Sequence, residues 1–189
     1  GMGGSHAAAW PNTGRAEVVT AMDMSEEAAA RLAEKFSLPT YYSDVHKMFE
    51  NETLDIVSIT TWQSVRAELT GIAAEAGVLG ILGEKPMSAT LGGANDMIAV
   101  CEKSGTKLAV GHQRRFSAQN SEARRLIQEG AIGEPQAMLR RDGLGLLNRG
   151  THEIDEMRYI LGDPEPLWLI GQVSRRTDKW ERRVRCEDL

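Results

Sequence analysis

Val78-Leu79-Gly80-Ile81-Leu82-Gly83-Glu84-Lys85-Pro86 is the stretch on which the fold turns. Its apolar opening does not alternate with polar residues, as expected of a strand buried on both faces in a parallel sheet. Its close delivers a lysine at the carboxyl end of that strand, braced by a proline. Open α/β sheets bind their ligands at that end, so the amine of Lys85 is placed for proton transfer.

Working outward, short β-branched runs alternate with helical stretches, the pattern of a parallel sheet covered by helices. Strands are predicted at 16–22, 56–60, 78–82 and 108–110. Ser25 caps a helix that opens with Glu26 and Glu27 and carries Ala29, Leu32, Ala33 and Phe36 on one stripe before Pro39. A short helical turn covers 45–49. The helix at 64–76 turns Val65, Leu69, Ile72 and Ala76 inward and stops at Gly77. The next, at 91–103, buries Ala94, Met97, Ile98 and Cys101. After Gly111 the character changes. A helix at 121–129 ends at Gly130, a turn follows at Gly133-Glu134-Pro135, and 136–140 reads as a strand of a different sheet. A glycine-rich loop at 143–150 leads into a helix at 151–161, closed by Gly162. A boundary near Phe116 divides the chain into 1–116 and 117–189.

Composition bounds the function. With 41% hydrophobic and 26% charged residues, the chain can bury a core and does not read as disordered. A net charge of -5 argues against a general nucleic-acid binder. Arg175, Arg176, Lys179, Arg182, Arg183 and Arg185 crowd one segment, which reads as a solvated face or subunit rim. Cys101 and Cys186 form no metal or disulfide pattern, so a reducing cytoplasm is expected. No run approaches the roughly 18 apolar residues that span a bilayer, and no charged-then-apolar leader opens the chain.

Gly1-Met2-Gly3-Gly4-Ser5-His6-Ala7-Ala8-Ala9 looks like the tail of a G-x-G-x-x-G turn entering a helix, with Gly3 as the third glycine. Asp23 follows at about the 20-residue spacing of the carboxylate that accepts both hydrogen bonds of an adenosine ribose diol. A carboxylate there repels a 2'-phosphate, which favours NAD over NADP. The other reading of Asp23 is an acid at the start of the helix capped by Ser25. This register puts the first strand and two glycines of the fingerprint before residue 1. The chain is then expected to be part of a longer protein, with two interior sheet edges unpaired and weak dinucleotide binding by itself.

These segments, together with Tyr42-Ser43-Asp44, Asp55-Ile56-Val57-Ser58-Ile59-Thr60-Thr61, Glu84-Lys85-Pro86, Gly111-His112-Gln113-Arg114-Arg115-Phe116 and Gly150-Thr151-His152-Glu153-Ile154-Asp155, carry a resemblance through order and spacing. The chain resembles the Gfo/Idh/MocA oxidoreductases, the family of glucose-fructose oxidoreductase and inositol dehydrogenase. The resemblance covers nearly all 189 residues. It implies a Rossmann-type parallel sheet followed by the start of an α+β substrate domain with an open, largely antiparallel sheet.

It also implies roles. Lys85 would contact the nicotinamide ribose and the substrate hydroxyl, aimed by a cis bond to Pro86, with its proton affinity lowered by burial and the nicotinamide cation. His152, with an ordinary value of about 6.5, would be the general acid/base. The cofactor would lie against Gly1, Met2, Gly3, Asp23, Thr60, Thr61, Trp62, Glu84, Lys85 and Arg114. The substrate would meet Arg66, Arg115, Asn148 and His152. Arg114 and Arg115 also follow the last strand at its ligand-binding edge.

The sequence departs from the family pattern at three places. Asn148 stands where many members carry aspartate, which predicts a lower proton affinity for His152. Trp62 replaces a usual proline, as an aromatic wall near the nicotinamide. Arg66 replaces a common histidine and reads either as a holder of an anionic or polyhydroxylated substrate or as a surface helix charge. A metal between His112 and His152 is disfavoured because no third ligand has suitable spacing.

The expectation is an NAD-dependent enzyme oxidising a secondary alcohol of a sugar, inositol or similar polyol, as a homo-oligomer, dimer or tetramer, in the cytoplasm. The competing reading is a non-catalytic dinucleotide sensor or regulatory subunit on the same fold. A sugar-nucleotide or biliverdin-type reductase would differ in substrate alone.

Overall fold

The computed structural model describes residues 1–141, 145–172, 174, 176–178, 180, 181, 184 and 185. Gly143, Arg175, Lys179, Arg182, Arg183 and Cys186 lie outside the described residues, as does the side chain of Arg185.

The sheet is parallel and comes in two pieces. Strand β1 (Thr20–Met22) pairs with β2 (Thr40–Tyr42), and β3 (Ile56–Ile59), β4 (Gly80–Gly83) and β5 (Lys107–Val110) form a second ladder in that order. The run 78–86 is thus the central strand of the larger piece. A cavity of about 460 Å³ separates the pieces, lined by 15–22 on one side and 53–61 on the other. Among the described residues no strand pairs with the inner edges of β1 and β3.

Seven helices connect and cover the described strands: α1 (Met2–Ala9), α2 (Glu26–Phe36), α3 (Val45–Asn51), α4 (Arg66–Glu75), α5 (Leu91–Ser104), α6 (Ala118–Gln128) and α7 (Thr151–Ile160). Their boundaries follow local chemistry. Ser25 accepts a hydrogen bond from the Ala28 amide at 3.3 Å and starts α2, while Asp44 accepts from His46 and Lys47 and starts α3. Gly105 at φ 79° and Gly162 at φ 90° release the chain from α5 and α7 through the left-handed region.

Ile59, Ala73, Val78, Ile81 and Cys101 form the core between β3, β4, α4 and α5. Ile81 is 2% exposed, and burial of such a side chain stabilises by roughly 1.5–3 kcal/mol. Two helix faces differ from expectation. In α4 the buried residues are Arg66, Thr70, Ala73 and Ala74, while Val65 and Ala76 are exposed. In α5 Met97 and Cys101 are buried and Ile98 is exposed. The expected strand at 136–140 is irregular and joins no ladder, with Leu139 88% exposed, because no described segment lies alongside to pair with it.

α6 packs on α7, and both meet the 3-10 turn Gln113–Phe116 that follows β5. A π-helical turn, Leu146–Gly150, runs directly into α7. These contacts bring the downstream helices to the carboxyl edge of the sheet. A short antiparallel pair, β6 (Trp180–Glu181) with β7 (Val184–Arg185), closes the described chain.

Candidate active site

One wall of the site is the end of β4. The β3–β4 ladder runs from Ile56 opposite Gly80 to Ile59 opposite Gly83, and the Glu84 amide adds a last bond to Ile59 O at 3.1 Å. Beyond it the strands part, and side chains take over from the ladder. Arg66 donates to the main-chain oxygens of Glu84, Pro86 and Thr61. The Glu84 carboxylate lies 3.3 Å from His6 Nε2 and accepts from the Lys85 amide at 3.2 Å. Burial would raise this carboxyl, but His6 and the Lys85 amide override it and hold it below the usual range. Gly111 lies close beside it: a Cβ there would stand 3.2 Å from Glu84 Oε1, so a side chain would press on the carboxylate. The Lys85–Pro86 bond is cis. From this frame the Lys85 ammonium reaches across to donate to Asn148 O at 2.9 Å.

The opposite wall is the start of α7. His152 is 6% exposed, its Nδ1 has no hydrogen-bond partner among the described residues, and its ring stands edge-on to His112 with centroids 5.6 Å apart. Burial, reinforced by the positive charges of Lys85 and Arg114, pushes His152 down to about 4. It is neutral at pH 7. His112 is lowered as well, by burial, although Asp155 Oδ2 at 3.6 Å opposes the shift. The Lys85 charge lowers both rings, in keeping with its bond to Asn148 O, four residues before His152.

Ion pairs hold α7 in place. Arg114 donates to Glu153 at 2.7 Å and to Glu156 at 3.1 Å, and Arg140 binds the same two carboxylates. Burial would raise the Glu153 carboxyl, but the hydrogen bonds from Arg140 and Arg114 hold it down at about 2. Arg115 grips both oxygens of Asp155 and meets Asp163 at 2.9 Å, and Arg124 meets Asp163 at the same distance. Asn120 closes the group, donating to Glu156 at 2.8 Å.

The remaining predicted residues lie along the carboxyl edges of β1 and β3. Gly1 caps α1, whose first turn includes Met2 and Gly3. A Cβ on Gly3 would lie 3.2 Å from Thr60 Oγ1, so the missing side chain lets the helix approach β3. Asp23 is exposed at the end of β1, with one carboxylate oxygen accepting from the Ser25 amide at 2.9 Å. That bond fits the reading of Asp23 as an acid beside the start of α2. Trp62 is 44% exposed just past β3. The start of an α-helix at a strand edge, with a carboxylate one strand away, suits a dinucleotide: amides for the pyrophosphate and Asp23 for the ribose.

The structure thus joins Lys85 to Asn148, with the Glu84 carboxylate on the lysine's amide and His152 four residues past the asparagine. It turns three predicted ligand holders elsewhere. Arg66 is 2% exposed, directed into main-chain carbonyls and neither a surface charge nor open to substrate. Arg114 and Arg115 are engaged by the carboxylates of α7, whose geometry and charge match the guanidinium fork. Sequence reasoning missed His6 and weighed His112 only as a metal ligand. The signal for His6 was its place one helical turn before Trp10, which donates to Ser58 at 2.8 Å and fixes α1 against β3. Among the described residues no cluster of three or more His, Cys, Asp or Glu is arranged to hold a metal, and no helix is long and apolar enough to cross a membrane.

Comparison with known proteins adds an independent finding. Residues 1–112 match an oxidoreductase family described by its NAD-binding Rossmann fold. Among curated relatives, D-apiose dehydrogenase of Paraburkholderia graminis is 30% identical over 98% of this chain and 52% of its own length. Myo-inositol 2-dehydrogenase of Thermotoga maritima is 26% identical over 80% of this chain and 49% of its own. The chain spans about half the length of these relatives. A crystal structure of an Agrobacterium radiobacter oxidoreductase in complex with NAD+, L-tartaric acid and magnesium superposes with a TM-score of 0.76, at 23% identity, over 85% of this chain and 52% of that one. It has the same fold.

Proposed function

The chain belongs to the Gfo/Idh/MocA oxidoreductases, an NAD-binding Rossmann family, and on that premise we propose that its protein moves hydride between nicotinamide and a secondary alcohol or ketone of a sugar, inositol or similar polyol. The observation that carries this reading is the bond from Lys85 to Asn148 O, four residues before a buried His152 whose Nδ1 lacks a partner among the described residues. A buried acceptor of this kind costs free energy unless a ligand satisfies it. A substrate hydroxyl is the matching donor.

When bound, NAD supplies the hydride acceptor or donor. The residues of this chain handle the proton. Neutral His152 is in the form that accepts the hydroxyl proton at pH 7. The Lys85 ammonium, held by Asn148 O, stabilises negative charge developing on the substrate oxygen. Water is limited by the burial of His152 and Glu84. Asp23 favours NAD over NADP, and Gly1, Met2, Gly3, Thr60, Thr61, Trp62 and Glu84 line the cofactor side. The names of the sugar and inositol dehydrogenases among the relatives support a polyol substrate. A division near Phe116 into cofactor and substrate domains, a homo-oligomeric state and a cytoplasmic setting belong to the same reading.

The test uses the protein as encoded, with whatever sequence flanks residues 1–189. Lys85→Ala and His152→Ala each lower kcat by about 10²–10⁴-fold on the best member of a polyol panel, with NAD affinity retained. Turnover at the unaltered rate in both variants sinks the proposal. Binding of NAD without turnover on any polyol would instead favour the sensor reading.

A further inference from the structure

Where β3 and β4 part company, three main-chain oxygens emerge with no ladder to receive them: Thr61 O from one strand, Glu84 O and Pro86 O from the other. Buried carbonyls such as those of Glu84 and Pro86 require donors, and among the described residues no backbone amide reaches them. Arg66, on the first turn of α4, supplies them. Its guanidinium donates to all three oxygens, and Glu84 and Pro86 are the residues on either side of Lys85. The side chain is 2% exposed, and its stem passes over Gly83, where a Cβ would stand 3.7 Å from Arg66 Cδ.

We propose that Arg66 is a positioning residue for Lys85, a guanidinium clamp that fixes the backbone on both sides of the lysine and ties the ends of β3 and β4 to each other. The proposal rests on the role given to Lys85 above. Its physical basis is the shape of the fork. Five N–H donors in one rigid plane can serve three oxygens at once, whereas an ammonium on a flexible stem has three donors and no fixed plane. A neutral imidazole has one donor and would leave two of the carbonyls unmet. The clamp works with the Glu84 carboxylate, which holds the Lys85 amide from the other side at 3.2 Å. Between them they fix where the lysine stem leaves the chain, so the ammonium meets Asn148 O without a search through rotamers.

The experiment compares Arg66→Lys, Arg66→Gln and Lys85→Ala in the protein as encoded. Arg66→Lys keeps the charge and loses the fork. If Lys85 is displaced by about 1 Å, kcat falls by about 10²-fold, while the affinity for NAD stays near its starting value. A second readout needs no cofactor: the rate at which an amine reagent labels Lys85 in the free protein, followed by mass spectrometry against pH. Release of the lysine from Asn148 raises that rate by about fivefold. Should Arg66→Gln fail to fold, Arg66→Lys decides. A folded Arg66→Lys with unchanged kcat and unchanged Lys85 labelling, beside an inactive Lys85→Ala, overturns the clamp and leaves the proposed function standing. Full activity in Lys85→Ala overturns both.

Discussion

The two walls of the cleft are built from different forces. The Lys85 wall is an extension of the sheet: its strand is central, its core is apolar, and beyond the ladder its carbonyls are received by one buried guanidinium. Among the described residues, no strand packs beneath the His152 wall. α7 is fastened by arginines from elsewhere in the chain, Arg114, Arg115, Arg124 and Arg140, onto its own carboxylates and Asp163. Hydrogen bonds in a buried ladder respond little to salt or pH. Ion pairs that remain partly exposed respond to both. The difference teaches that one half of a proton-handling pair can be fixed by the fold while its partner is held by charge.

The strongest way to break this contrast is at Glu153, which is 6% exposed and shared by Arg114 and Arg140. Glu153→Gln leaves Arg114 and Arg140 with Glu156 as their one shared carboxylate and is expected to lower stability by about 1–2 kcal/mol. That is below the usual loss for a fully buried pair, because Arg140 is 42% exposed and solvent screens it. Denaturant unfolding measures the change. The loss should shrink as salt is added, since salt already weakens the unaltered network. An unchanged midpoint at low salt would show that α7 is held by packing, and the contrast between the walls would disappear.

How much of this was legible beforehand follows from the same contrast. The Lys85 wall is written in local sequence: an unbroken apolar run, glycines that end helices, serine and aspartate at helix starts, and a lysine at a strand end. These are signals a few residues long. The phase of α4 was misread because Arg66 carries a charge, and charged residues are ordinarily exposed. Only the three oxygens waiting at the parted strands make its burial favourable, and they come from residues near 61 and 85 that no periodicity connects to it. On the His152 wall the arginines of Gln113–Phe116 were legible as a cluster at a ligand-binding edge, yet their partners lie about 40 positions away on another helix. Charge alone does not say which carboxylate an arginine will meet. The segment at 136–140 failed for a related reason: a strand needs a neighbour, and its own residues do not reveal whether one is there.

The pH dependence sharpens the comparison further. His152 titrates at about 4 in the folded protein and near 6.5 when unfolded. Between these values the unfolded chain binds a proton that the folded chain refuses, so stability falls as pH drops from about 6.5 to about 4. Glu153 acts lower down. Its carboxyl titrates at about 2 against an ordinary 4.5, so its contribution is present above 4.5 and is lost as pH falls toward 2. Acid should therefore loosen the His152 wall in two steps, histidine first. Unfolding followed against pH is the measurement, and His152→Gln should shrink the upper step, leaving the part that the likewise lowered His112 contributes. A single step near 6.5 in the NMR titration of the His152 ring would contradict the burial of this group.

The smallest effect concerns the point where the walls touch. The Lys85 ammonium is held by the main-chain oxygen of Asn148, so Asn148→Asp leaves that anchor in place and adds a negative charge beside it. A nearby carboxylate favours the imidazolium, and the His152 titration should move upward from about 4. The shift should be modest, about half a unit, because the same ammonium that depresses His152 would pair with the new carboxylate and take up most of its field. Ring-proton NMR against pH resolves a change of this size. A downward shift would mean that the substitution had pulled Lys85 closer to the histidine. No shift at all would mean that the Asn148 side chain faces away from the cleft, leaving the main-chain bond as the only link between the two walls at that residue.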